Sequence, residues 1–220
     1  DGCLCLVGSE MCIRDRRVTQ PSWRRLYLAP SERAGETRLT QSLEVLAEVI
    51  GGGATSLLYQ SLVINQKLAA GVSASYDPVA AGLTSFRVSA TPRPGVTPEQ
   101  LEAAIDREIG RIARGEIPAE EIERAKTSLR ASVAYARDSL HTGAQVLGEA
   151  LAVGLSVADV ESWPERIGMV TPALVAEAAA HVLDPRGSVT GLLLPAEGAR
   201  SPARPAAPPP VGPASERGIQ

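Results

Sequence analysis

The stretch from Gly51 to Tyr76, GGGATSLLYQSLVINQKLAAGVSASY, changes its hydrophobic period partway along. Just before it, Leu39, Leu43, Leu46 and Ile50 recur at spacings of four, three and four, which predicts one face of a helix. Gly51-Gly52-Gly53 closes that helix. Thr55 or Ser56 offers a side-chain cap to a second helix carrying Leu58, Leu62 and Val63. From Leu68 the period drops to two: Leu68, Ala70, Val72, Ala74 and Tyr76 alternate with small or polar residues. Phe86, Val88 and Ala90 do the same against Ser85, Arg87 and Ser89. With Asp77-Pro78 and Gly82 between them, these runs predict an antiparallel pair of strands with one wet face.

Outward from this centre the order of elements becomes clear. Ser22 to Ala29 is short, apolar and aromatic, stops at Pro30, and reads as a strand. Thr97-Pro98-Glu99-Gln100 is a capping box with proline at the first helical position. Leu101, Ile105, Ile109 and Ile112 form the buried stripe behind it, and Gly115 ends the helix. Pro118 and an acidic first turn open a long helix with Ile122, Ala125, Leu129 and Val133 on its core face. Further helices span about Leu140 to Val153 and follow Ser156. A last helix runs from Thr171-Pro172 to Asp184-Pro185, and Ser188 to Leu194 is a closing strand. Strands and helices do not alternate strictly, so the fold class is α+β: an antiparallel sheet with helices packed on one side.

Composition excludes several functions. The chain has 220 residues, 44% of them hydrophobic, so it can bury a sizeable core. Its net charge of −3 and 3% aromatic content argue against nucleic-acid binding by a basic stripe or by base stacking. No apolar run approaches the ~18 residues of a membrane-spanning helix. All three cysteines, Cys3, Cys5 and Cys12, lie near the start, so no disulfide framework or cysteine-held zinc is expected in the body.

The termini read differently from the body. The run from Cys5 to Arg16 is similar to a translated sequencing adapter; ATG TGT ATA AGA GAC encodes Met11 to Asp15. Residues 1–17 are therefore expected to stand apart from the fold, with the true gene cut on its 5′ side. Residues 18–195 form the body. Residues 196–220, rich in proline and alanine, are expected to be a disordered tail.

The residues alone do not assemble an active site. His141 and His181 are forty residues apart and lack the spacing of a zinc-binding helix. His181 is a helix-end residue, where a cation is favoured. Asp138, Ser139 and His141 are too close in sequence to be read as a triad by spacing. Gly51-Gly52-Gly53 follows a helix rather than a strand and precedes no Gly-Lys-Ser/Thr, so it is not a phosphate loop. The acidic run Glu116 to Glu123 is a helix start with a solvated face.

A resemblance adds what spacing does not. Residues Gly51 to Leu62, continuing through Leu68 to Ala74, are similar to a motif in the second domain of the insulinase/pitrilysin family of zinc metallopeptidases, which includes the processing peptidases. That motif runs roughly L-G-G-G-x-S-S-R-L-Y-x-x-L-R-E-x-x-G-L-A-Y-x-V-x-A. Tyr27-Leu28-Ala29-Pro30, Ala136-Arg137-Asp138-Ser139 and Ser188-Val189-Thr190-Gly191 extend the resemblance over about residues 18–195. It implies an α+β half that closes a chamber around an extended peptide. It also implies that zinc sits on an inverted His-x-x-Glu-His in the other, first half, where the metal polarises the scissile carbonyl and the glutamate activates water. No cofactor is expected on this chain.

The implied partners are that missing first half, a homologous subunit and a peptide substrate. The family's second domain often supplies an arginine and a tyrosine that support the transition state. Their positions here are Val63 and Ala70, which cannot donate to an oxyanion. The resemblance therefore implies a partner subunit that carries the Arg/Tyr pair. Leu57 departs from the family's arginine as well. Gly51, Gly52 and Gly53 are the expected substrate-side residues. Two alternatives stay open: a non-catalytic scaffold subunit, like the core proteins of respiratory complexes that share the fold, and an unrelated α+β binding domain.

Overall fold

Five strands form one sheet in the order β1-β5-β2-β4-β3, in a computed structural model that describes residues 9–15, 18, 20–136 and 139–195. They are β1 (Ser9–Asp15), β2 (Ser22–Ala29), β3 (Ala69–Tyr76), β4 (Thr84–Pro92) and β5 (Ser188–Pro195). The last four pair antiparallel with their neighbours, and β1 runs parallel to β5. The alternation read from the sequence fixes which face is covered. Trp23, Tyr27 and Ala29 of β2 and Phe86, Val88 and Ala90 of β4 are buried. The register sets Tyr27 opposite Phe86 and Trp23 opposite Ala90. Tyr76 stacks on Phe86 across the β3–β4 ladder, ring centroids 6.2 Å apart.

Among the described residues, seven α-helices pack against that face or against one another: α1 (Thr40–Gly51), α2 (Pro98–Ala113), α3 (Ala119–Ala136), α4 (Leu140–Ala152), α5 (Val157–Glu161), α6 (Trp163–Gly168) and α7 (Pro172–Val182). The most deeply buried is α1, with Leu43, Val45, Leu46 and Ile50 fully enclosed beneath β3, α3 and α7. Capping follows the sequence. At α2, Thr97 Oγ1 accepts from the Gln100 amide and Gln100 Oε1 from the Thr97 amide. Ser156 and Asp159 form the same box at α5. Thr171 caps α7.

One inward-facing cation ties α2 to the sheet. Arg25 is buried on β2, stacks 5.0 Å over the Trp23 ring, and donates from Nε to Thr190 Oγ1 on β5 at 2.8 Å. Its other nitrogens bind Glu102, at 2.5 Å, and Asp106, both on α2. A buried charge held by two carboxylates and a hydroxyl is compensated; removal of both acids would leave it uncompensated in the interior.

Four expectations are corrected. The second helix is a π-helix, Tyr59–Asn65, and neither Thr55 nor Ser56 caps it, because the Ser56 hydroxyl donates to the Gly53 carbonyl at 2.7 Å. Ala70 is exposed while Ala69 is buried, the reverse of simple alternation. A bulge between Ala69 and Gly71 adds a residue to β3 and turns Ala70 outward. Leu129 packs against the core as expected, but Val133 is only half-buried, since α3 is held to the body mainly through Ile122 and Ala125. Residues 9–15 were expected to stand apart, yet they pair with the outer edge of β5. Strand pairing uses backbone groups and needs no particular side chains, so a free sheet edge accepts such a segment readily. The remainder of residues 1–17, except for that strand, lies outside the described residues, as do Arg137, Asp138 and residues 196–220.

Candidate functional site

The corner where α1, the π-helix and β3 meet contains every residue that the family motif singles out. Its geometry begins with Gly51. A Cβ built on Gly51 would lie 1.9 Å from the Ala74 amide nitrogen and 2.6 Å from the Ser73 carbonyl carbon. The end of α1 thus lies directly against the β3 backbone, and only glycine fits there. Gly52 and Gly53 are exposed, and Gly53 has a φ of +132° that an L side chain rarely adopts. The three glycines therefore divide into one packing residue and two at the surface.

The π-helix then carries the chain back to the sheet. Gln66 donates its amide to the Ser61 carbonyl, and Leu68 to that of Leu62. Val63 is buried in the core, 4% exposed. Its carbonyl accepts from Arg93 Nη2 at 2.9 Å, and the Ala69 carbonyl accepts from Arg93 Nε at 3.0 Å. Arg93, at the end of β4, therefore holds the two segments at positions 63 and 69 together. Sequence reasoning missed it, because a lone arginine in an Arg-Pro-Gly turn carries no periodic signal. Lys67, where the family motif has glycine, adopts a φ of +57°. The structure thus brings positions 63 and 70 into one corner but gives neither a hydrogen-bond donor in its side chain.

The remaining candidates do not converge. His141 and His181 are exposed on α4 and α7. Ser139 caps α4 by accepting from the Thr142 amide. Within the acidic run, Glu116 pairs with Arg111 and Arg114, Glu121 with Arg124, and Glu123 with Lys126, which is a solvated face. Among the described residues no group of three or more His, Cys, Asp or Glu could hold a metal ion, so the residues present do not fit zinc. A shallow groove of about 370 Å³ along α3, lined by Thr127, Arg130 and Pro164, offers no acid–base pair.

One buried acid stands out from the rest. Both oxygens of Glu44 accept from Trp163 Nε1, at 2.9 and 3.0 Å. Burial pushes its carboxyl up to about 8, against the Trp163 hydrogen bond that lowers it, and the charges of Glu32 and Asp77 add to the rise. Nearby, Arg166 bonds Glu32 at 2.9 Å, and the Tyr76 hydroxyl donates to the Pro30 carbonyl. In the unfolded chain a glutamate gives up its proton near ~4.3. Between that value and about 8 the folded state holds a proton that the unfolded state has lost. This contribution to stability is complete below the lower value and is lost as pH rises through the upper one, by up to ~1.4 kcal/mol per pH unit. Urea melts from pH 5 to pH 9 are expected to show that decline. Glu44→Gln, which stays neutral and still accepts from Trp163, should flatten it.

Comparison with known proteins places this geometry. The sequence model of the peptidase M16 inactive domain matches residues 7–129, more than half of the chain. No curated protein matches it. The fold is similar to that of a protease from Helicobacter pylori, with a TM-score of 0.78 at 18% identity, covering 86% of this chain and 44% of that one. It is similar to a peptidase M16 inactive domain from Pseudomonas fluorescens, with a TM-score of 0.72 at 18% identity over 86% of this chain and 44% of that one. An inactive peptidase domain from Bordetella parapertussis gives a TM-score of 0.73 at 20% identity, covering 84% of this chain and 99% of that one. The chain thus spans less than half the length of the first two and nearly the whole of the third.

Proposed function

Because the chain belongs to the peptidase M16 family, as its inactive domain, we propose that it is the non-catalytic half of a zinc metalloendopeptidase subunit. In this reading it forms one wall of a peptide-binding chamber and docks on a metal-bearing half. The observation that carries it is the family match across the glycine corner, joined to the lack of a metal-holding cluster among the described residues. The sheet face without helices is the proposed chamber wall. The exposed Gly52 and Gly53, where the end of α1 meets β3, are the proposed substrate-side residues, whereas Gly51 serves packing.

The purified chain is expected to retain far less than one equivalent of zinc by elemental analysis and to cleave a mixed peptide library no faster than buffer. Stoichiometric zinc together with hydrolysis would overturn the reading. A scaffold role is the second reading. It is favoured by Val63, an apolar side chain buried in the core at the position where the family resemblance expects a substrate-binding arginine.

A further inference from the structure

The sheet treats its arginines in two ways. Strands β2, β3, β4 and β5 contain three arginines, Arg24, Arg25 and Arg87, and no aspartate or glutamate. Arg25 points into the molecule, where Glu102 and Asp106 neutralise it. Arg24 and Arg87 point to the opposite face, are exposed, and have no acidic partner among the described residues. Register puts Arg24 opposite Ser89 and Arg87 opposite Leu26, so the two cations are diagonal neighbours on adjacent strands. Like charges at such positions repel. The chain carries a net charge of −3, so this exposed pair of cations on β2 and β4 is a local reversal of the overall sign.

The surroundings narrow the occupant. On the β3 side Ser75 lies opposite Arg87, and Ser73 opposite Ser89, giving hydroxyl donors beside the guanidinium groups. On the other side lie exposed apolar side chains, Leu28 at 63% and Val189 at 43%. We propose that this uncovered sheet face binds an extended acidic peptide, with carboxylates on Arg24 and Arg87 and apolar side chains over Leu28 and Val189. The inference rests on the chamber-wall reading and adds a substrate class to it. Charge complementarity selects an anion, since two arginines present ten N–H donors between them and guanidinium pairs bidentately with carboxylate. The apolar strip selects a peptide over a nucleic acid. Two cations neutralise few phosphates, and no aromatic side chain is available on this face for stacking.

The test is binding to the chain itself, without any metal-bearing half, so that its failure is separable from failure of the chamber reading. A fluorescent peptide alternating Glu with Leu is titrated by anisotropy against a peptide with Lys in place of Glu, and against single-stranded DNA of equal charge. The acidic peptide is expected to bind, with affinity falling as salt rises. Arg24→Gln with Arg87→Gln should weaken it about tenfold or more. Ser75→Glu, which puts an anion beside Arg87, should weaken it comparably while the melting temperature stays unchanged. Equal binding of the acidic and Lys peptides, DNA binding tighter than the acidic peptide, or an unchanged affinity in the double variant would each overturn the proposal.

Discussion

Gly51→Ala is expected to cost the fold about 4 kcal/mol or more, and Gly51→Val to leave little folded protein at 37 °C. The atoms that an added Cβ would meet are backbone and near-backbone: Ala74 N at 1.9 Å, Ser73 C at 2.6 Å and Ala74 Cβ at 2.7 Å. No rotamer change relieves such contacts; either α1 must withdraw or β3 must move. Both elements are deeply committed. Helix α1 contributes Leu43, Val45, Leu46 and Ile50 to the core, and β3 holds Tyr76 against Phe86. Since a domain is stable by only ~5–15 kcal/mol in all, such a loss removes much of the margin. Gly71 on the same strand is the control, because nothing lies within 4 Å of its added Cβ. Gly71→Ala should change the melting temperature by only a few degrees. A Gly51→Ala protein as stable as the control would show that the close approach of α1 to β3 is wrong.

Much of the fold is legible in the sequence because local chemistry and tertiary packing agree. The capping boxes at Thr97 and Ser156 and the stripe Leu101, Ile105, Ile109 and Ile112 all lie as their spacing requires. The exceptions have a common cause. Ala70 is the extra residue of a bulge, which shifts the face of the residues before it by one, and periodicity counts residues without seeing an insertion in the ladder. The π-helix widens a turn by one residue in the same silent way. Leu129 and Val133 satisfy the helical period, but both are only partly covered, and a stripe does not say how fully its neighbours cover it. Ser9–Asp15 pair with β5 through the backbone, which composition does not encode.

The candidate site is legible to a different degree. The motif marks the glycines and positions 63 and 70 along the chain; that they meet at one corner is visible only in the structure. Neither Arg93, which bonds the carbonyls of Val63 and Ala69, nor the burial of Glu44 under Trp163 carries a sequence signal. Both depend on residues distant in the chain: position 93 meeting 63, and position 163 meeting 44. Arg87 is visible in the sequence as a polar residue on the wet side of a strand. That it stands diagonal to Arg24, with no acid on either strand, becomes visible only once the register is known.

In the proposed function this chain is one half of a peptide-cleaving subunit, and the metal and the hydrogen-bond donors lie on other segments. Val63 faces the core and Ala70 ends in a methyl group, so neither can donate a hydrogen bond to a developing oxyanion. A missing donor of that kind costs ~100–1,000-fold in rate. The most direct measurement is therefore peptide hydrolysis by a subunit in which this chain follows its metal-bearing half, assayed alone and then with a homologous subunit that carries the arginine and tyrosine. The subunit alone is predicted to be slower by ~100–1,000-fold and to recover when the homologue is added. Hydrolysis by the isolated subunit as fast as by the pair would contradict the account.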